Sequence, residues 1–223
     1  MKLFLKRILG FLYYIYNLVI GGNDQKKNIG YWFYINGDER YLLSHSLNSD
    51  SVVFDVGGYK GVFTDRVLHK YNPQKIYIFE PVSDYYLYLV EKYKSRKNVI
   101  LYNFGLADCN KQEYISIRED GSSVYRDGNK KEKISLVDIS EFIRVKKIKN
   151  IDLMSINIEG GEYPLINKLL DSGLVKRVDV IQVQFHKISD ASEDERQRLV
   201  NRLLETHKKV YSFPFLWEGF KRK

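Results

Sequence analysis

The chain has 223 residues, of which 44% are hydrophobic. That is enough for one sizeable core and too short for two independent domains. A formal charge of +8 with a sequence pI near 9.3 favours an anionic partner, whether nucleic acid, an acidic membrane face or a phosphorylated substrate. The single cysteine, Cys109, excludes an internal disulfide and suits a reducing compartment, so a cytoplasmic location is expected. No base is patterned beside it, and it reads as a small residue at the edge of the core rather than a catalytic thiol. Metal-ligand spacings such as C-x-x-C or H-x-x-x-H are absent, and no metal is expected.

In chain order, Lys2, Lys6 and Arg7 precede an apolar run over 8–20 that is interrupted by Asn17 and carries several tyrosines. The run falls short of the ~20 residues that span a bilayer, and no A-x-A-like cleavage site follows it. Two readings stay open: a helix packed on the domain, or a basic and aromatic helix lying peripherally on the anionic inner face of a membrane. Gly21-Gly22 and a polar linker then lead to an aromatic patch at 31–34, so 1–29 reads as helix and linker and 30–223 as the main domain.

Beyond it, short apolar runs alternate with stretches of helical spacing. Strands are predicted over 52–56, 76–79, 99–102, 151–158 and 178–185, with an extra strand at 114–117 and a strand pair over 210–220 broken by Pro214. The helices between them are predicted from three signals. Asn72-Pro73 stops the first, Ser83 caps the second, and Ser192-Glu-Asp-Glu195 has the form of a capping box. Pro164 suits the first turn of a helix over 163–170, where a missing N–H costs nothing. The segment 121–133 is polar and breaks the alternation. The pattern predicts an α/β doubly wound, mainly parallel sheet with an N-terminal helix, a Rossmann-like arrangement.

Ligands of such sheets sit outside the carboxyl ends of the strands. The first end reads Asp55-Val-Gly57-Gly58-Tyr-Lys-Gly61. It lacks the G-x-G-x-x-G fingerprint of dinucleotide binding, and it carries an acid that would repel a pyrophosphate but pair with an ammonium group. S-Adenosylmethionine has that ammonium and no phosphate. Glu80 ends the next strand at about the ~20-residue spacing of an acid that grips a ribose diol. Together these favour S-adenosylmethionine over a nicotinamide dinucleotide.

In order and spacing, DVGGYKG at 55–61, IFEP at 78–81, NFGLAD at 103–108, IDLMSINIEGGE at 151–162, QVQFHK at 182–187 and FLWEGF at 215–220 resemble the FkbM-type methyltransferases. The likeness runs from about Val52 to the C-terminus. It implies a class I methyltransferase fold and S-adenosylmethionine-dependent methyl transfer to a hydroxyl, often of a sugar. A nucleotide-linked or lipid-linked sugar in surface-glycan or glycosylated-metabolite assembly is then the expected substrate. By the same resemblance, Asp55, Gly57, Gly61 and the intervening Gly58 form the methionine-binding turn, Glu80 is the ribose acid, and Leu106 lies near the adenine.

The acceptor should meet the ends of the fourth and fifth strands. Asn157 and Glu159 share one side by alternation, and Gly160-Gly161 lets the backbone turn. Glu162 reads as a helix-start acid, and Asp138 as a helix cap. His186, ending its strand, is the natural general base. His45, His69 and His207 read as surface or packing residues. The family commonly keeps Asp where Asn157 stands and Lys where Ser155 stands, so Asn157 binds by hydrogen bonds rather than charge. Alternatives are a non-catalytic S-adenosylmethionine-binding scaffold, or a nucleic-acid methyltransferase. The N/D-P-P-Y/F loop of amino-methylating enzymes is excluded, since no two of the 4 prolines are adjacent, and nucleic acid is not the expected partner.

Overall fold

The computed structural model describes residues 2–117 and 130–223. Its chain begins with two helices, α1 (Lys2–Val19) and α2 (Asp24–Tyr34). The second lies where the sequence predicts a linker. Asn23 caps it, accepting the Lys26 N–H at 2.9 Å, and the aromatic patch is its last turn. Glycines let the two helices touch: a Cβ on Gly10 would lie 2.7 Å from Phe33 Cβ, and one on Gly30 only 2.6 Å from Tyr14 N. Trp32 anchors α2 to the end of the chain, edge-on to Phe213 at 5.1 Å.

The alternating core follows: β1 (Val52–Val56), α3 (Val62–Lys70), β2 (Lys75–Phe79), α4 (Ser83–Tyr93) and β3 (Val99–Tyr102). Next come β4 (Gly105–Ala107), β5 (Lys111–Ile117), β6 (Lys130–Asp138) and α5 (Ile139–Val145). The chain closes with β7 (Ile151–Ile156), α6 (Glu162–Asp171), β8 (Val178–Val183), α7 (Ser192–Leu203), β9 (His207–Phe213) and β10 (Trp217–Arg222). The main sheet runs β3-β2-β1-β7-β8-β10-β9. Its first five strands are parallel, and β10 is antiparallel to both neighbours. The expected doubly wound, mainly parallel architecture is therefore present.

Continuous apolar runs form these strands because both sheet faces are covered. Alternate residues of β1 go opposite ways. Phe54 and Val56 join the larger core beneath α5 to α7, while Val53 joins the smaller one beneath α3 and α4. Phe142 stands edge-on to Phe79 and Tyr102, at 5.1 and 5.2 Å, an arrangement favoured by the ring quadrupoles.

Several local expectations are corrected. Ser83 and Ser192 begin their helices inside the first turn rather than capping it. The Ser192 hydroxyl instead accepts the N–H groups of Ile188 and Ser189, at 3.0 and 2.9 Å. Cys109 is exposed, not at a core edge. Strands β4, β5 and β6 form a separate sheet in the order β4-β6-β5, of which only part of β5 is predicted. Of the polar segment 121–133, residues 121–129 lie outside the described residues.

Candidate active site

A cleft of about 170 Å³ opens at the carboxyl ends of β1, β2 and β7 and is roofed by the side sheet. Gly57, Glu80, Leu106, Asn157 and Glu159 line it, together with Ile115, Ile134 and Leu136 of the roof.

The turn after β1 is built by close backbone approach. Gly57 has φ +94°, and a Cβ there would stand 2.1 Å from the carbonyl oxygen of Asn157. Only glycine fits. Its N–H donates to Phe79 O at 3.0 Å, while Asn157 N–H donates to Val56 O at 2.9 Å, so the turn is tied to both flanking strands. Gly61 also has φ +75°, and Gly58 packs over Ile78, where a Cβ would come within 2.2 Å of Cγ2. Gly58, Gly61 and Asp55 stand behind the turn and do not line the cleft. Asp55 is buried and accepts the Thr64 hydroxyl at 2.6 Å. Burial pushes its carboxyl up to about 7, partly offset by that hydrogen bond.

Glu80 does line the cleft. Its carboxylate accepts Tyr59 N–H at 2.7 Å and Val82 N–H at 2.9 Å. Burial outweighs those bonds and also raises it to about 7. Each oxygen keeps a lone pair after one backbone bond, so the carboxylate can also accept the hydroxyls of a ribose diol. Tyr59 and Tyr85, edge to face at 4.6 Å, form an aromatic wall beside it. Neither tyrosine was singled out in the sequence. The acid, the glycine turn and the apolar pocket around Leu106 fit the ribose, methionine and adenine parts of S-adenosylmethionine.

At the acceptor end, Asn157 is exposed on the cleft floor. Strand β7 ends at Ile156, one residue before it. Glu159 therefore reaches the cleft not by strand alternation but through a left-handed backbone, φ +50°. Tyr59 is similarly placed at φ +45°. Such conformations cost a non-glycine residue about 1–3 kcal/mol and persist where surroundings enforce them, often at functional sites.

His186 lies behind Glu159, off the cleft lining, and is only 7% exposed. Its Nε2 is 3.3 Å from Glu159 Oε1, a charge contact outside hydrogen-bonding geometry, and its Nδ1 is 3.2 Å from Glu162 Oε1. Burial opposes the charged imidazole, but the two carboxylates prevail and raise it to about 9. His186 is thus an imidazolium at neutral pH.

Glu162 is more than a helix-start acid. Fully buried, it accepts Gly160 N–H and His186 N–H, each at 2.7 Å, and so joins the β7 and β8 ends. Asp138 caps α5 as expected, accepting Ser140 and Glu141 N–H. Among the described residues, no group of three or more His, Cys, Asp or Glu could hold a metal ion.

The family model of the methyltransferase FkbM domain matches residues 55–213. No curated protein matches the chain. Among solved structures, the methyltransferase FkbM from Methylobacillus flagellatus superposes with a TM-score of 0.54 at 9% identity, covering 90% of this chain and 55% of that one. The present chain thus spans about half of that relative's length. The Streptococcus mutans protein SMU.1697c, solved with SAH, gives 0.53 at 14% identity, covering 85% of this chain and 97% of the other. An rRNA methylase from Streptococcus thermophilus gives 0.50 at 13% identity, covering 84% and 95%. At these identities the likeness is one of fold.

Proposed function

Since the chain belongs to the FkbM methyltransferase family and is an S-adenosylmethionine-dependent methyltransferase, we propose that it methylates a hydroxyl of a nucleotide-linked or lipid-linked sugar. Glu159 takes the proton in this reading. S-Adenosylmethionine, when bound, supplies an electrophilic methyl group on a sulfonium. Glu80 would hold its ribose, the Gly57 turn its methionine end and the pocket around Leu106 its adenine. The chain's remaining task is alignment and proton removal.

The observation that carries the proposal is the lining of the acceptor end. Asn157 offers a neutral donor and acceptor and Glu159 a carboxylate, and the imidazolium next to them, His186, is held between Glu159 and Glu162. The one lysine of the lining, Lys111, is paired with Glu113 at 3.0 Å and Asp108 at 3.8 Å. An acidic rim suits a polyhydroxyl acceptor and disfavours a phosphodiester backbone close to the floor. His186 cannot be the base while protonated. It holds Glu159 in place and offsets its charge, which makes it a positioning residue.

The test is transfer of a labelled methyl group to a panel of nucleotide sugars and glycolipids, with total RNA alongside. Sugars should be labelled. Glu159→Gln should lower turnover by about 10²–10⁴-fold with S-adenosylhomocysteine affinity unchanged. Label in RNA alone, or full turnover in Glu159→Gln, would overturn the reading.

A further inference from the structure

Helix α1 is built unlike the rest of the protein. On its contact side Gly10 touches α2, Tyr14 stacks tilted on Tyr31 at 5.5 Å and Asn17 is buried, while Lys6 lies over the Phe33 ring at 4.6 Å and Arg7 donates to Tyr34 O at 2.9 Å, both cations staying exposed to solvent. With 3.6 residues per turn, the side facing away carries Phe4, Ile8, Leu9, Leu12, Ile15 and Val19 over an arc of roughly 140°. All six are exposed, Phe4 by 70% and Val19 by 80%. No charged or amide side chain interrupts this arc. Soluble monomers seldom expose so large a continuous apolar patch. The cations of α1, Lys2, Lys6 and Arg7, gather at its start, and it contains no Asp or Glu.

We infer that α1 lies in the plane of an anionic lipid bilayer surface, with this arc in the acyl boundary and its cations among the headgroups. The charge supports the choice of occupant, since three cations without an acid complement a negative surface. A second copy fits less well. A partner helix covers a seam about two-sevenths of the way round, less than this arc, and a self-association would offer the cations no acid on the facing α1. No described helix is long and apolar enough to cross a membrane, so α1 lies on the bilayer rather than through it. The placement is independent of the acceptor, because none of these residues lines the cleft.

Co-sedimentation of the full chain with vesicles tests it, comparing phosphatidylcholine alone with phosphatidylcholine containing about one-third phosphatidylglycerol, a headgroup charge the cations should sense. The expected result is binding to the anionic vesicles that weakens in high salt. Leu12→Glu with Val19→Glu should reduce it at least about tenfold while S-adenosylhomocysteine binding stays unchanged, because charge in the acyl region is costly. Lys2→Gln with Lys6→Gln should reduce it about fivefold per cation removed. Persistence of binding in the glutamate variant, or its absence in the wild type, overturns the inference. So does a wild-type dimer that the glutamate variant converts to a monomer without any vesicle binding.

Discussion

Replacing Glu162 by Gln probes the buried charge cluster behind the acceptor end. The carboxylate accepts Gly160 N–H, His186 N–H and the His186 ring, all within 3.2 Å and away from water. A glutamine keeps one oxygen for His186 but turns an amide N–H₂ toward Gly160 N–H, donor against donor. It also removes one of the two charges that hold His186 protonated. The span from the ordinary histidine value of 6.5 up to about 9, at about 1.36 kcal/mol per pH unit, corresponds to roughly 3 kcal/mol from the two carboxylates together; Glu162 carries about half of it, and the broken hydrogen bond adds about 1–2 kcal/mol, for about 3 kcal/mol in all. Losing one partner of a buried ion pair costs about 3–5 kcal/mol, so the two routes agree. The sign follows from linkage. Below 6.5 the imidazole is protonated both folded and unfolded, and the stabilisation is fully present; it fades as pH rises through about 9. Glu162→Gln should therefore cost about 3 kcal/mol at pH 6, a melting shift of roughly 6–12 °C. By pH 10 the cost should shrink to about 1–2 kcal/mol, the broken hydrogen bond alone. Urea denaturation at the two pH values reads the cost, and proton NMR titration, with His186→Asn to assign the resonance, reads the midpoint. An equal cost at both pH values, or a midpoint still near 9 in the variant, would refute the reasoning.

Gly57→Ala should destabilise the chain by more than about 2 kcal/mol, since the methyl group meets Asn157 O at 2.1 Å on a backbone of φ +94°. A denaturation midpoint within error of wild type would rule this out. S-Adenosylhomocysteine affinity should rise about fivefold from pH 6 to pH 7 and about twofold more by pH 8, then level off, as the Glu80 carboxyl, held near 7 by burial, becomes a pure acceptor. Calorimetry on Glu80→Gln should give a flat profile, and an unchanged one would move the titration to Asp55. Arg196→Met should cost about 3–5 kcal/mol, because Glu218, 1% exposed, loses its 2.6 Å partner. Adding Glu218→Gln should restore part of it, and no restoration would show that Arg196 acts through packing alone.

The main sheet was legible because parallel strands buried on both faces leave unbroken apolar runs, as in β1, β7 and β8. The side sheet was not, because half of β6 reads Lys130-Lys-Glu-Lys133, and its pairing with β5 buries only alternate residues such as Ile134. Helix α2 was missed for a related reason: Asp24-Gln-Lys-Lys27 reads as linker until Gly30 is seen to fit against Tyr14. At the site, glycines and strand ends located the turn, Glu80, Asn157 and Glu159. What no local pattern carries is how the acceptor-side acids divide their work. Glu159 and Glu162 both follow β7, three residues apart, yet one faces the cleft and the other is sealed against His186, 24 residues further on. Local spacing alone suggests the opposite assignment, with the histidine as the reactive group and Glu162 as a simple helix-start charge. The left-handed turn at Glu159 and Gly160, φ +50° and +111°, decides it. That turn directs the first carboxylate outward and leaves the second buried beneath the histidine. A buried histidine between two carboxylates is held protonated, so in the reaction we propose the acceptor's proton goes to the carboxylate in front of it.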